Sequence, residues 1–152
     1  MEVRPATAAD VPRMAGIRDA DRTAGPADAG MAAYLEGRHH PQQSLALRVA
    51  YLATIDGAAA GYIAGHLTRR YGCDGELQYL YVSPEYRRTG VASALLRQLA
   101  EWFGEQGAER ICVDVDADSP GARGFYTRHG AQRLGAHWMI WPDIAAIREV
   151  QP

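Results

Sequence analysis

The sequence predicts a single α/β domain in which helices cover both faces of a mixed β-sheet. Its 152 residues fit one domain of the commonest size. Stretches with alternating apolar residues and stretches with helical spacing follow one another in the order β-α-α-β-β-β-α-β-α-β-β. Neither a repeat nor a low-complexity tract nor a Gly/Ser/Pro linker separates them. We therefore expect one domain over residues 1–152.

A strand and a helix are predicted at the start of the chain. Glu2–Pro5 favours a short strand, and Thr7 and Asp10 provide the side chains that begin a helix. Pro12 is compatible with this helix because it falls near the first turn. The helical spacing is carried by Val11, Met14 and Ile17.

The next region, residues 19–44, has no decisive pattern. Residues 24–30 favour a loop, whereas residues 31–38 are compatible with a second helix. The sequence His39-His40-Pro41 would end that helix.

Three strands are predicted in the middle of the chain. Residues 48–55 and 59–71 are rich in β-forming residues and flank Asp56-Gly57, a pair typical of hairpin turns. Residues 76–82 form a third run rich in Tyr, Leu and Val. The pattern therefore indicates a hairpin followed by one more strand.

The clearest helix is predicted over residues 89–106. Gly107 stands where a helix commonly ends. One apolar stripe runs along the helix. The stripe consists of Val91, Leu95, Leu99 and Trp102, with Ala94 and Phe103 beside it.

The C-terminal part is predicted to alternate strand, helix, strand and strand. Residues 110–116 alternate, with Ile111, Val113 and Val115 on one face. Ser119-Pro120 is typical of a helix start, and the helix would run to about residue 129. Residues 131–134 and 137–141 are predicted as the last strands.

Composition excludes several classes of function. A net charge of −2 gives no reason to expect nucleic-acid or membrane binding, and no apolar run approaches the roughly 18 residues of a membrane span. The first residues do not resemble a signal peptide, so we expect a cytoplasmic location. Cys73 and Cys112 form no metal or disulfide motif, and the five histidines lack metal-ligand spacing. We expect free thiols and no metal.

An anion site is predicted where the third middle strand leads into the clearest helix. A helix N-terminus carries unpaired N–H groups and about half a positive charge. Gly90 and Ala92 leave room for a phosphate to approach the backbone, and Arg87 and Arg88 add charge. The alternative interpretation is a turn with two solvated arginines.

Two motifs in this part of the chain resemble those of the GNAT superfamily of N-acetyltransferases. Val82-x-Pro84-x-Tyr86-Arg87-Arg88-x-Gly90-Val91-Ala92 is similar to its acyl-CoA-binding loop. About thirty residues later, Ala122-x-x-Phe125-Tyr126-x-Arg128-x-Gly130 is similar to its second motif. The resemblance covers residues 48–141 well and the N-terminal helices only in outline.

The resemblance implies a mostly antiparallel twisted sheet that splays at an acetyl-CoA site. It implies that a strand backbone binds the pantetheine arm and that loop amides bind the pyrophosphate. Two departures from the family pattern are Ser119, where Asn is frequent, and Ala131, where Phe is usual. The implied cofactor residues are Leu80, Tyr81, Val82, Arg87, Arg88, Thr89, Gly90, Val91, Ala92, Ser93, Ser119, Ala122, Arg123 and Phe125.

The resemblance also implies two catalytic residues. Glu76 matches the position of a catalytic glutamate in several members, and Tyr126 matches a tyrosine near the cofactor sulfur. The expected reaction is acetyl transfer to a primary amine of a small molecule or peptide, by direct attack in a ternary complex. Glu76 as a solvated carboxylate and Tyr126 as a core aromatic are the alternatives. A non-catalytic acyl-CoA-binding module is the alternative function, and a homodimer is plausible by resemblance.

Overall fold

Seven strands form one sheet in the computed structural model, which describes residues 1–20, 29–41, 43–115 and 120–149. The spatial order is β1-β2-β3-β4-β5-β7-β6, and the β4–β5 pair is parallel while the other pairs are antiparallel. The strands are β1 (Glu2–Pro5), β2 (Ser44–Ile55), β3 (Ala58–Thr68), β4 (Gly75–Val82), β5 (Ile111–Asp114), β6 (Gln132–Arg133) and β7 (Trp138–Trp141).

Helices cover both faces of this sheet, as the sequence predicts. On one face Met14 and Ile17 of the first helix pack against Leu52 and Tyr62 of the sheet. On the other face the large core cluster joins the third, fourth and fifth helices to the strands. The helices are α1 (Val11–Ala20), α2 (Ala29–Leu35), α3 (Val91–Glu105), α4 (Pro120–Arg128) and α5 (Ala145–Glu149).

Several predicted boundaries are wrong because tertiary contacts set them. The second helix begins at Ala29, inside the predicted loop, and ends at Leu35. β3 stops at Thr68, since Arg70–Gly72 turns as a 3-10 helix with Tyr71 in the left-handed region (φ 55°). The predicted β5 extends too far at both ends, and its predicted residue 116 lies outside the described part of the chain. The same is true of the predicted helix cap Ser119.

The helix α5 was not predicted from the sequence. Asp143 Oδ1 accepts the amide of Ala145 at 2.9 Å, as a side chain does at a helix start. Ile144 and Ile147 are buried in the core on the α3 face. The Pro-Asp pair before these two isoleucines is the signal that would have indicated the helix.

Parallel pairing between β4 and β5 stops after three residues. Gly75, Glu76 and Leu77 pair with Ile111, Cys112 and Val113. Residues 79–82 continue to pair with β3 on the other side of β4. Within the described chain no strand lies on the β5 side of residues 80–82, and we call these three residues the free edge of β4. The predicted splay is therefore present.

The helix α3 packs unusually close to the sheet at glycines. A Cβ placed on Gly75 would stand 2.4 Å from Cε1 of Phe103, and one on Gly65 would stand 3.1 Å from Cδ1 of Leu99. Phe103 and Leu99 are both fully buried, so neither has room to move away. Glycine at these positions fixes the distance between α3 and the strands β3 and β4.

We expect Gly75→Ala to lower the free energy of unfolding by about 1–3 kcal/mol, because the methyl group overpacks the α3–sheet contact. Gly16→Ala is the matched control, since Gly16 lies within α1 with open space where a Cβ would go. It should raise stability by about 0.5–1 kcal/mol. Urea unfolding of both variants measures the two effects, and equal stabilities would contradict the packing argument.

Candidate active site

The free edge of β4 has no neighbouring strand on the β5 side within the described chain. Register between β3 and β4 shifts at Ala64 and Gly65, which pair with Tyr79 and Leu77. Gln78 is therefore the extra residue of a β-bulge, and a bulge bends the strand and twists it further. Buried backbone N–H and C=O groups are almost always paired. A ligand chain lying along residues 80–82 could therefore pair with this edge in the manner of a missing strand.

A turn leads from the free edge of β4 into the first turn of α3. Arg88 (φ 63°) and Gly90 (φ 87°) both adopt the left-handed region, which reverses the chain so that α3 begins at Val91. The Thr89 hydroxyl donates to the Tyr86 carbonyl. No side chain caps α3 at Gly90, and Arg87 and Arg88 are exposed. The first-turn amides of α3 therefore point to open space beside two cations.

A histidine connects the first turn of α3 to the end of α4. Nε2 of His129 lies 3.1 Å from Oγ of Ser93, and its ring lies 4.6 Å from that of Phe125. Burial, and then the charges of Arg128 and Arg97, lower the pKa of His129. The imidazole is therefore neutral at pH 7. This contact holds the two helices that carry the two sequence motifs against each other.

Tyr126 lies on α4 beside the free edge of β4. Its side chain is buried, and its ring meets Trp141 edge-on with centroids 5.5 Å apart. Burial, and then the neighbouring Tyr81, raise the pKa of the Tyr126 hydroxyl. Tyr81 belongs to β4, so this electrostatic interaction links α4 to that strand. Tyr126 keeps its proton at neutral pH and can donate it.

Glu76 lies at the paired end of β4 and is buried, with 4% of its surface exposed. The interpretation of Glu76 as a solvated carboxylate is therefore wrong. Its Oε1 accepts from Nε of Arg70 at 3.2 Å and lies 3.7 Å from Nε2 of His66. His66 is the cross-strand partner of Glu76 on β3. Tyr81 lies five positions beyond Glu76 along the strand, which corresponds to roughly 16 Å.

The polar residues around Glu76 were missed at the sequence level. His66 is fully buried, and Nδ1 of its ring lies 2.7 Å from the hydroxyl of Tyr34. The Arg70 guanidinium also stacks on Trp138, 4.8 Å from the ring centroid. A lone histidine inside an apolar strand was the available signal, but its partner depends on the β3–β4 register. Asp114, exposed at the end of β5, is a second carboxylate beside the sheet opening.

The other predicted cofactor residues lie around the same opening, apart from one. Leu80, Val82, Ala122 and Phe125 pack against the core on the α3 face. Arg123 donates from Nη2 to the carbonyl of Ala136 in the β6–β7 turn. Ser119 lies outside the described residues, so its predicted contact remains a prediction.

Cys73 and Cys112 are free and buried, and burial is the first cause that raises the pKa of each thiol. Among the described residues no group of three His, Cys, Asp or Glu side chains is arranged to hold a metal ion. The helices of the described chain are all too short or too polar to cross a bilayer.

A cavity of about 260 Å³ opens away from β5, between the end of β1, α2 and the middle of β2. Pro5, Val11, Tyr34 and Arg48 are among its lining residues. Two nitrogens of Arg48 donate to three carbonyls, Nε to that of Ala46 and Nη1 to those of Tyr34 and His39. The predicted cofactor residues and the free edge of β4 do not line this cavity, so we locate the candidate active site at the sheet opening.

Comparison with known proteins identifies the family. The sequence profile of the acetyltransferase (GNAT) family matches residues 14–131. The mycothiol acetyltransferase of Actinosynnema mirum is 32% identical over 149 residues, which cover 97% of this chain and 47% of that protein. The chain therefore spans about half the length of this relative.

Solved structures share the fold at low sequence identity. The ribosomal-protein-S18-alanine N-acetyltransferase of Escherichia coli superposes with a TM-score of 0.74 at 18% identity, over 93% of both chains. The PaiA N-acetyltransferase of Thermoplasma acidophilum, solved in complex with coenzyme A, gives 0.69 at 17% identity, over 91% of this chain and 96% of the other. With its seven-stranded splayed sheet and a family match over most of its length, the chain belongs to the GNAT family of acetyltransferases, which use acetyl-CoA.

Proposed function

We propose that the protein transfers the acetyl group of acetyl-CoA to a primary amine of a small molecule or peptide, by direct attack in a ternary complex. The observation that carries this proposal is the free edge of β4 leading into the uncapped N-terminus of α3. The free edge of β4 suits an amide-bearing arm, and the N-terminus of α3 suits a diphosphate. Tyr126 of α4, which interacts electrostatically with Tyr81 of β4, is proposed to meet the acyl end of such a molecule.

The cofactor is proposed to lie along β4 and across the turn before α3. Backbone groups of Leu80, Tyr81 and Val82 would bind the pantetheine arm. Amides of residues 88–92 would bind the pyrophosphate, with Arg87 and Arg88 contributing charge and Ser93 contributing its hydroxyl. Ala122, Arg123, Phe125 and Ser119 are proposed to contact the rest of the cofactor from α4 and its start.

Glu76 and Tyr126 are proposed to move the protons. An amine with a pKa near ~10.4 is protonated at neutral pH and cannot attack until it loses a proton, which Glu76 takes directly or through a water molecule. Attack on the thioester gives an oxyanion that a β4 amide stabilises. Collapse expels the thiolate, and Tyr126 donates a proton to it. Gln78 Oε1, buried without a partner in the described chain, supports an amine-binding role at the bulge.

Gly90→Ala should weaken coenzyme A binding at least about tenfold, because the left-handed conformation costs about 1–2 kcal/mol with a side chain and the turn must move. Gly107→Ala is the matched control at the other end of α3, where φ is 75° and a Cβ also meets open space. The Gly107→Ala variant should lose about as much stability as Gly90→Ala but keep the wild-type dissociation constant for coenzyme A. Calorimetry with coenzyme A measures both, and equal affinities would exclude the turn as the phosphate site.

Glu76→Gln should bind acetyl-CoA normally and lose about 100-fold or more in kcat, because the amine keeps its proton. A thiol-release assay with acetyl-CoA and a panel of amines measures the rate. Asp114→Asn is measured in parallel, since Asp114 is the rival carboxylate, and should keep its rate. The reverse pattern would assign the base to Asp114. Binding without thiol release from any amine would instead support the non-catalytic acyl-CoA-binding module.

Tyr126→Phe should lower kcat about 100-fold with little change in acetyl-CoA affinity, because the thiolate loses its proton donor. Burial raises the pKa of Tyr126, so the hydroxyl stays protonated up to at least its ordinary value near 10. We therefore expect no loss of rate from this group between pH 7 and pH 9. A wild-type decline in that range that disappears in Tyr126→Phe would contradict the raised pKa of the Tyr126 hydroxyl, and an unchanged kcat in Tyr126→Phe would exclude it as the proton donor.

A further inference from the structure

A chain of buried polar groups leads from α2 through β3 to Glu76. The hydroxyl of Tyr34 lies 2.7 Å from Nδ1 of His66, and Nε2 of His66 lies 3.7 Å from Oε1 of Glu76. Tyr34 and His66 are both fully buried. Buried polar groups are costly unless they are paired, so a chain of this kind inside an apolar face requires an explanation.

The tautomer of His66 follows from its two neighbours. Burial is the main cause that raises the pKa of Tyr34, so its hydroxyl keeps its proton and donates it to Nδ1. The reverse arrangement would leave the Tyr34 proton without an acceptor in the described chain. Nε2 then carries the hydrogen and directs it toward the carboxylate of Glu76. The distance of 3.7 Å is longer than a normal hydrogen bond, so the contact is electrostatic until the two side chains approach.

Two donors therefore act on the same oxygen of Glu76. Arg70 donates to Oε1 at 3.2 Å, and the ring of His66 approaches the same Oε1. Within the part of the chain that the structure describes, neither contact involves Oε2. An oxygen that already accepts a hydrogen bond from a guanidinium and faces a second N–H nearby is a poor place for a further proton. Oε2 is consequently the oxygen at which Glu76 accepts one.

We propose that Tyr34 and His66 are positioning residues for the acetyl-transfer reaction. Tyr34 fixes His66 as the Nε2–H tautomer, and His66 together with Arg70 holds Oε1, so that Oε2 of Glu76 receives the proton from the acceptor amine. The inference rests on the proposed function of Glu76 as the base. Neither Tyr34 nor His66 needs to touch the acceptor or the cofactor.

Other titratable and charged groups also face this chain. Cys112 is the β5 neighbour of Glu76, and the pKa of its thiol is raised first by burial and further by Cys73 and Glu76. The guanidinium of Arg48 stacks on Tyr34 at 4.8 Å from the ring centroid. Arg48 is common to all variants below, and Cys112 stays a neutral thiol near pH 7. A change in the pH profile of these variants is therefore attributable to the Tyr34–His66–Glu76 chain.

Nitrogen-15 NMR of the histidine side chains tests the tautomer without any acceptor. We expect the neutral His66 ring of the wild-type protein to carry its hydrogen on Nε2, with the signals assigned from a His66→Gln spectrum. In Tyr34→Phe the Nδ1 atom loses its donor, and the Nδ1–H tautomer should appear. A wild-type ring with its hydrogen on Nδ1 would overturn the proposal.

Kinetics in the thiol-release assay test the positioning role. Tyr34→Phe should lower kcat about tenfold, as removal of a partner behind a functional group commonly does, while acetyl-CoA affinity stays unchanged. The acidic limb of its pH–rate profile should move to higher pH, because the carboxylate loses support for its charged form. His66→Gln, which keeps a donor, should retain more activity than His66→Leu.

Tyr51→Phe is the matched control, because it removes another buried tyrosine hydroxyl, from the core on the α3 face. Its kcat and pH profile should equal those of the wild-type protein. If the wild-type protein turns over acetyl-CoA but Tyr34→Phe behaves like Tyr51→Phe, the positioning role is excluded. If the wild-type protein shows no turnover with any amine, the proposed function fails instead.

Discussion

The early end of the β4–β5 pairing is the constraint on which the site depends. Three paired residues fix β5 beside the start of β4, and beyond them β4 pairs with β3 while no strand of the described chain lies on its β5 side. A strand edge at such a position favours a ligand that completes the ladder. Tyr126 of α4 interacts electrostatically with Tyr81 of the same strand. A sheet that paired fully would close the site.

The β-bulge at Gln78 separates two environments on β4. On its N-terminal side Glu76 is buried among His66, Arg70 and Cys112. On its C-terminal side the strand lines the opening with its free edge. A bulge changes the direction in which side chains point. Here it lies between the proposed base and the residues proposed to bind the pantetheine arm. The proposed base is therefore held apart from the residues proposed to bind the pantetheine arm, while the proposed acid, Tyr126, belongs to α4.

Helix α3 contributes both to the stability of the core and to the position of the proposed cofactor site. Its apolar stripe supplies much of the core on one face, and contacts at Gly65 and Gly75 fix its distance from the sheet. Because the helix is rigid, the same packing also fixes where its first turn stands relative to the end of β4. The anion site is thus positioned by the core, while His129 and Ser93 connect it to α4.

Local pattern alone determined the elements and the outline of the site. The stripe of α3, the Asp-Gly hairpin turn and the turn that ends at Gly90 act through neighbours in sequence, so they were predictable, and the two motifs indicated the family. The β3–β4 register, which sets His66 opposite Glu76, and the approach of Arg70 and Tyr34 depend on segments far apart in the chain. Only the tertiary structure decided those, because burial and pairing between distant segments are properties of the folded sheet and not of any local window.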